Sequence, residues 1–319
     1  DVERSRGLGD VYKRQIQNIN TDILRNTEIP CPAMTLQQKI GTLLSTYDDL
    51  IENNNRRIAI LEKMAQSLYR EWFVKFRFPG YNQAADKPVD RVTGGPATPS
   101  TTDGASQCRM VDSPLGPIPE GWKCCSFTEV TDVLSGGTPK NTEPSYWGDE
   151  IPFFAPKDAP AHFYCLETEK QITELGLNKC SSKLYPKNTV FITARGTVGK
   201  VVLPACSMAM NQSCYALKSK VASTQRYLYL LTKSQVSYLK KNTGGATFDT
   251  IVKDTFERMM IADPPDTLKK EFEQLVSPFF DQILNLSKQS ENLKKQRDLL
   301  LPKLISGQIA LGHAEQATA

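Results

Sequence analysis

The chain has 319 residues, a formal net charge of +4, and 39% hydrophobic residues, which allows about two domains with part of the chain elongated or solvated. No apolar run reaches the ~18–20 residues of a membrane-spanning helix, and no charged-then-apolar leader opens the sequence, so a cytoplasmic location is expected. The eight cysteines form no C-x-x-C pair and only two histidines exist, His162 and His313, which argues against a zinc site or a disulfide framework and for scattered reduced thiols.

In chain order, residues 1–15 read as a non-native linker, and 16–34 as the remnant of a preceding domain, with Ile29-Pro30-Cys31-Pro32 blocking helix. A long helix is expected over 35–76, with Thr35 and Gln38 as a capping box. Its apolar seam runs Leu36, Ile40, Leu43, Tyr47 and Leu50, then Ile58, Leu61, Ala65, Leu68 and Trp72. The steps are those of heptads, with a stutter through Leu50, Asn54 and Ile58. Such a helix is roughly 60 Å long at 1.5 Å per residue, which suits a spacer. Residues 77–112 read as a flexible linker rich in Gly, Pro, Ser and Thr.

A mixed α/β unit is expected over 113–264, with strands at 151–155, 189–194, 199–203 and 214–217 and a helix at 225–241. A second long helix follows over 265–308. Its seam is Leu268, Phe272, Leu275, Phe279, Ile283, Leu286, Leu293, Leu300 and Leu304, with a kink or restart at Pro278 and a stop at Pro302 and Gly307. Residues 309–319 form a tail. The fold class is α+β, one mixed domain flanked by two long helices that form an antiparallel coiled-coil spacer.

The two long helices repeat each other at an offset of 232 residues. Thr35-Leu36 aligns with Thr267-Leu268, Asp49 with Asp281, Ile51 with Ile283, Leu61 with Leu293 and Leu68 with Leu300. Duplicated helices that bury each other's seams imply a duplicated cargo, with a second globular unit before the first helix.

Charge is unevenly spread. From Leu175 to Phe248, 74 residues hold no acid and eleven bases, which leaves 28 bases against 35 acids elsewhere. A segment of this kind points to a polyanion such as nucleic acid, or else to a solvated basic face. Arg195, flanked by glycines around Thr197 and followed by Lys200, is placed for a guanine or phosphate contact, or is an exposed hairpin arginine. Asn211-Gln212 can read adenine bidentately or form a turn. Gly136-Gly137-Thr138 with Lys140 can hold a phosphate on backbone N–H groups, and Gly244 to Thr247 after Lys241 is a second loop of this type. Lys157 follows a strand and is a further candidate. No ATP-binding loop, adenine-methylation motif or nuclease cluster is visible, so no catalytic residue and no metal ligand is assigned.

Leu115-Gly-Pro-Ile-Pro-Glu-Gly-Trp122, Ser135-Gly-Gly-Thr-Pro-Lys140, Thr193-Ala-Arg-Gly-Thr-Val-Gly199, Asn211-Gln212, Ile51-Glu-Asn-Asn54 with Leu61-Glu-Lys-Met-Ala65, and Arg297-Asp-Leu-Leu-Leu-Pro-Lys-Leu-Ile-Ser-Gly307 carry a resemblance in their order and spacing. The sequence resembles the specificity subunit of type I restriction-modification enzymes, with one target-recognition domain where the family pattern has two. The resemblance implies a non-catalytic reader of double-stranded DNA that directs adenine methylation and restriction by partner subunits. The implied partners are modification subunits and restriction subunits, or a second copy if the chain is half-length. S-adenosylmethionine, ATP and Mg2+ would then belong to those partners, with no cofactor on this chain. The alternative is a silent cassette that acts only as a coiled-coil assembly scaffold.

Overall fold

The computed structural model of the protein describes residues 21–26, 31–80, 109–242 and 250–309. Most of the linker expected over 77–112 and the loop from Gly244 to Thr247 lie outside the described residues. The chain divides into two compact units, one of Asp49–Leu293 and one holding Asp1–Asp48 with Lys294–Ala319.

The expected repeat is present as structure. Helix α1 spans Thr21–Asn26 and α2 spans Met34–Phe73; at the end of the chain α6 spans Lys253–Arg258 and α7 spans Asp266–Ile305. Both pairs share their bounds at an offset of 232, and α2 and α7 have 40 residues each. Their ends are built alike. After α2, Arg77 N–H donates to the Glu71 carbonyl (2.7 Å), and after α7 Ile309 N–H donates to that of Lys303 (3.2 Å), again 232 apart. Each bond reaches back six residues to a carbonyl that the helix leaves free. Gly307 takes a left-handed φ of 74° in the second closure.

Two expectations for these helices are corrected. Leu50 is 47% exposed and Leu275 43% exposed, whereas their neighbours Ile51 and Val276 are 7% and 0% exposed. Ile51, Ile58, Ala65 and Trp72 are buried at strict seven-residue spacing, so α2 needs no stutter. The offset of 232 carries this pattern onto Ile283, buried Ser290, half-buried Arg297 and buried Leu304. Proline does not interrupt α7 at Pro278 or end it at Pro302. Each proline removes one N–H from the ladder, but the carbonyls so orphaned, on Gln274 and Asp298, belong to exposed residues, where water can satisfy them.

Between the two repeats the chain forms β1 (Met110–Val111), β2 (Ile118–Pro119), β3 (Lys123–Ser126), α3 (Phe127–Val130), β4 (Thr131–Ser135), β5 (Trp147–Phe154), β6 (Tyr164–Cys165), β7 (Lys170–Ile172), α4 (Glu174–Asn178), β8 (Val190–Thr193), β9 (Val201–Pro204), β10 (Ala209–Met210), β11 (Cys214–Ser219), α5 (Gln225–Asn242) and, after α6, β12 (Met260–Asp263). A five-stranded sheet has the order β4-β11-β8-β9-β6, antiparallel except for β6 beside β9. Alternation sends Val190, Ile192 and Leu217 into the core that includes α5, and Phe191, Cys214 and Ala216 into a second core with Phe154, Met208 and Met210. Burial on both faces explains why these strands read as short apolar runs.

Within Asp49–Leu293 the end of α2 meets the beginning of α7. Phe73 lies 4.9 Å from the rings of both Phe272 and Tyr227, and Trp72 lies 5.4 Å from Phe272. Each long helix also lends the mixed domain a carboxylate. Glu62 of α2 accepts the Phe163 N–H at 2.8 Å. Glu273 of α7 accepts the N–H groups of Arg226 (3.1 Å) and Tyr227 (2.9 Å), donors that the first turn of α5 leaves without helical partners. Arg226 also pairs with Glu273 (3.4 Å) and Asp281 (2.9 Å). Burial, as the largest cause, raises the carboxyls of Glu62 and Glu273 above their ordinary range.

Candidate nucleic-acid interface

One end of the five-stranded sheet gathers most of the residues that the sequence singles out. β4 ends there at Ser135, β8 ends at Thr193, β9 begins at Val201 and β11 begins at Cys214, because neighbouring strands run antiparallel. The loops after β4, between β8 and β9, and before β11 therefore emerge side by side. Backbone bonds lock them together. Ala194 N–H donates to the Ser213 carbonyl (2.8 Å), Gly137 N–H to that of Met210 (3.1 Å) and Gly136 N–H to that of Cys214 (3.4 Å). Asn211 N–H reaches the Phe154 carbonyl at the end of β5 (2.9 Å).

The glycines of the first loop do not form a phosphate cradle. Both are buried and both N–H groups are spent on protein carbonyls. Their lack of a side chain is a packing requirement. A Cβ on Gly136 would lie 2.0 Å from the Asn211 carbonyl oxygen, and one on Gly137 would lie 2.1 Å from Ser181 Oγ. The β8–β9 loop is a tight hairpin connection. Thr193 Oγ1 donates to the Thr197 carbonyl and accepts Lys200 N–H (2.9 Å), while Gly196 and Gly199 hold φ of 76° and 75°. This construction leaves Arg195 and Thr197 exposed at the tip.

Asn211 and Gln212 have different environments. Asn211 Oδ1 accepts Ser213 N–H at 3.0 Å, which is the turn-forming alternative. Gln212 is exposed and its Oε1 accepts the hydroxyl of Thr138. Lys157 is ion-paired with Glu169, so it is not an unopposed cation. The side chain of Lys241 and the whole of Gly244 and Thr247 lie outside what is described, but Ile251 N–H donates to the Ala194 carbonyl (2.9 Å), at the base of the Arg195 tip.

The acid-free stretch is not one basic face. Lys220 donates to the Thr128 carbonyl (2.7 Å), Arg226 is paired with α7, and Lys233 sits 4.4 Å from the Phe163 ring centre. Burial lowers the Lys233 ammonium below its ordinary value. What remains at the loop end is Arg195 and Lys200, together with Lys179 and Lys183. These two lysines flank Ser181 and Ser182, whose backbone N–H groups and Ser181 Oγ line Gly137. With Lys140 these five cations make no ion pair among the described residues, and all but half-buried Lys200 are exposed. The sequence shows Lys179 and Lys183 only as part of the acid-free run; that the 179–183 segment closes over Gly137 is a long-range contact with no local signature.

A sequence model of the family described as "Type I restriction modification DNA specificity domain" matches residues 11–63 and 119–295. The two matched segments end at Lys63 and Lys295, which are themselves 232 apart. The chain is 30% identical over 295 residues to the type I restriction enzyme MjaIX specificity subunit of Methanocaldococcus jannaschii, covering 90% of this chain and 61% of that protein. It is 25% identical over 327 residues to the HindI specificity subunit of Haemophilus influenzae, covering 91% and 71%. The crystal structure of a type I restriction-modification S subunit from M. genitalium superposes with a TM-score of 0.54 at 15% identity, over 85% of this chain and 61% of that one, which supports the fold. The chain thus spans about three-fifths of the length of the M. jannaschii relative. On a match covering more than two-thirds of its residues, the chain belongs to the family of type I restriction-modification DNA specificity domains.

Proposed function

We propose that this chain is a sequence-specific DNA-binding subunit that directs adenine methylation and restriction by partner subunits and performs no chemistry itself. The observation that carries the reading is the gathering, at one sheet end, of three interlocked loops and five cations without ion-pair partners among the described residues. A polyanion neutralises such a cluster, and interlocked loops can present fixed groups to base edges. In this reading 113–264 is the recognition domain, and 35–76 and 265–308 are spacer helices that pair as an antiparallel coiled coil. The helices carry the docking surface for modification subunits, and with them restriction subunits or a second copy of this chain. S-adenosylmethionine, ATP and Mg2+ serve those partners.

The test is retention of a random double-stranded DNA pool by the chain, alone and with the modification subunits of its own system, followed by sequencing. Enrichment of a split or palindromic motif is expected. Arg195→Ala should weaken binding and reduce the slope of log K against log salt by about 1 if the contact is to phosphate. Absence of any motif, with the complex still assembling, refutes DNA reading in favour of a scaffold.

A further inference from the structure

The glycine-threonine loop and the Asn-Gln pair, which are 74 residues apart in sequence, meet as one device. Gly136 lets the first loop descend onto the Asn211 carbonyl, since any Cβ there would lie 2.0 Å from that oxygen. This approach brings the Thr138 hydroxyl onto Gln212 Oε1. The residues on either side of Gln212 are anchored. Asn211 is held through its N–H to Phe154, its carbonyl from Cys214 (3.2 Å) and its Oδ1 from Ser213, and the Ser213 carbonyl accepts Ala194 N–H. Gln212 stands exposed between them, one residue from Ser213, as Arg195 is one residue from Ala194.

We infer that Gln212 is a base-reading residue and that Thr138 is the positioning residue that orients its amide; this rests on the DNA-reading proposal above. The hydroxyl takes the oxygen end of the amide, so the outward end is Nε2 with its two hydrogens. With the hydroxyl on one lone pair of the oxygen, the two N–H donors are the freer end of the amide, and two donors match an edge with two adjacent acceptors. In the major groove that edge is guanine, through N7 and O6, whereas bidentate reading of adenine needs the amide oxygen as acceptor. Asn211 is tied into its own turn, where its Oδ1 accepts Ser213 N–H. Holding the amide by Thr138 also removes rotamer freedom that Gln212 would otherwise lose on binding, so the bond favours discrimination as well as orientation.

The experiment is the same DNA selection, run with the full chain and the modification subunits, on wild type, Thr138→Val, Thr138→Ser, Gln212→Ala and Lys140→Ala. Thr138→Val keeps the shape and removes the hydroxyl; Thr138→Ser restores it. The expected result is a wild-type motif with a guanine whose preference, about tenfold or more over other bases, collapses at that one position in Gln212→Ala and Thr138→Val. It should return in Thr138→Ser, while Lys140→Ala lowers retention of all sequences alike. A wild-type preference that Thr138→Val leaves intact overturns the positioning role. Loss at an adenine, or a uniform loss of affinity with no change of motif, overturns the reading of guanine. A wild type that enriches no motif overturns DNA reading itself, and this inference with it.

Discussion

Glu273 offers a demanding test of how the mixed domain is tied to α7. Its carboxylate is buried and accepts three bonds, from Arg226 N–H, Tyr227 N–H and Arg226 Nη1 at 3.1, 2.9 and 3.4 Å. Glu273→Ala leaves two donors at the start of α5 without partners and removes one of the two counter-charges of the Arg226 guanidinium, the other being Asp281 at 2.9 Å. Breaking one side of a buried pair costs about 3–5 kcal/mol, and an orphaned donor about 1–3 kcal/mol. Because Asp281 retains the guanidinium and these terms overlap, the expected loss is about 3 kcal/mol. Glu273→Gln keeps the volume and one acceptor but turns its NH2 toward a donor, so it should lose less, roughly 1–2 kcal/mol. Urea unfolding of both variants, followed by midpoint at unchanged slope, gives the values. A Glu273→Ala variant within about 1 kcal/mol of wild type, or a Glu273→Gln variant as damaged as the alanine, would refute the account.

Gly136→Ala should destabilise the domain and abolish DNA retention, because the added Cβ lies 2.0 Å from a backbone oxygen that is itself pinned; wild-type midpoint and retention would contradict this. Ile283→Ala should cost about 2–5 kcal/mol while Leu275→Ala stays within about 0.5 kcal/mol, since the first side chain is 0% and the second 43% exposed; equal losses in urea would return Leu275 to the seam. Burial, the largest cause, raises the Glu62 carboxyl above 4.5, so protonation is favoured in the fold. Its contribution is therefore complete below about pH 4.5 and declines as pH rises through the raised value. Glu62→Gln, which cannot ionise, should gain on wild type across that window, and a difference constant from pH 4 to 7 would contradict the sign.

The repeat is legible in the sequence because its markers are local: Pro, Thr and Leu at the start of each helix, and a seam that repeats at one offset. The phase of the seam is harder to read, because Leu50-Ile51 and Leu275-Val276 each offer two adjacent apolar residues. Period alone does not say which one faces inward; the buried positions seven residues on, Ile58 and Ile283, do. Pro278 misleads for a related reason, since the cost of a proline depends on whether the orphaned carbonyl sees water. At the loop end, the residue types are informative and their roles are not. Gly136 and Gly137 announce close approach, but the partner is the chain itself, through Asn211 and Ser181. The Thr138–Gln212 contact is unreadable, because nothing in either motif refers to a residue 74 positions away.

Arg297 holds a seam position in α7, where it bonds to Asp48. At the same offset, the counterpart of Arg297 in α2 is Ala65, and the counterpart of Asp48 in α7 is Phe280. The bond therefore exists in one combination of the two helices. If α7 paired with another α7 in the same register, the guanidinium would face the Phe280 ring; if α2 paired with another α2, Asp48 would face a methyl group. As an exposed contact it adds little to the strength of the pair. It discriminates instead, since the two helices share length, end closures and seam spacing, and a charge whose complement occurs in only one of them makes like-with-like association the poorer match.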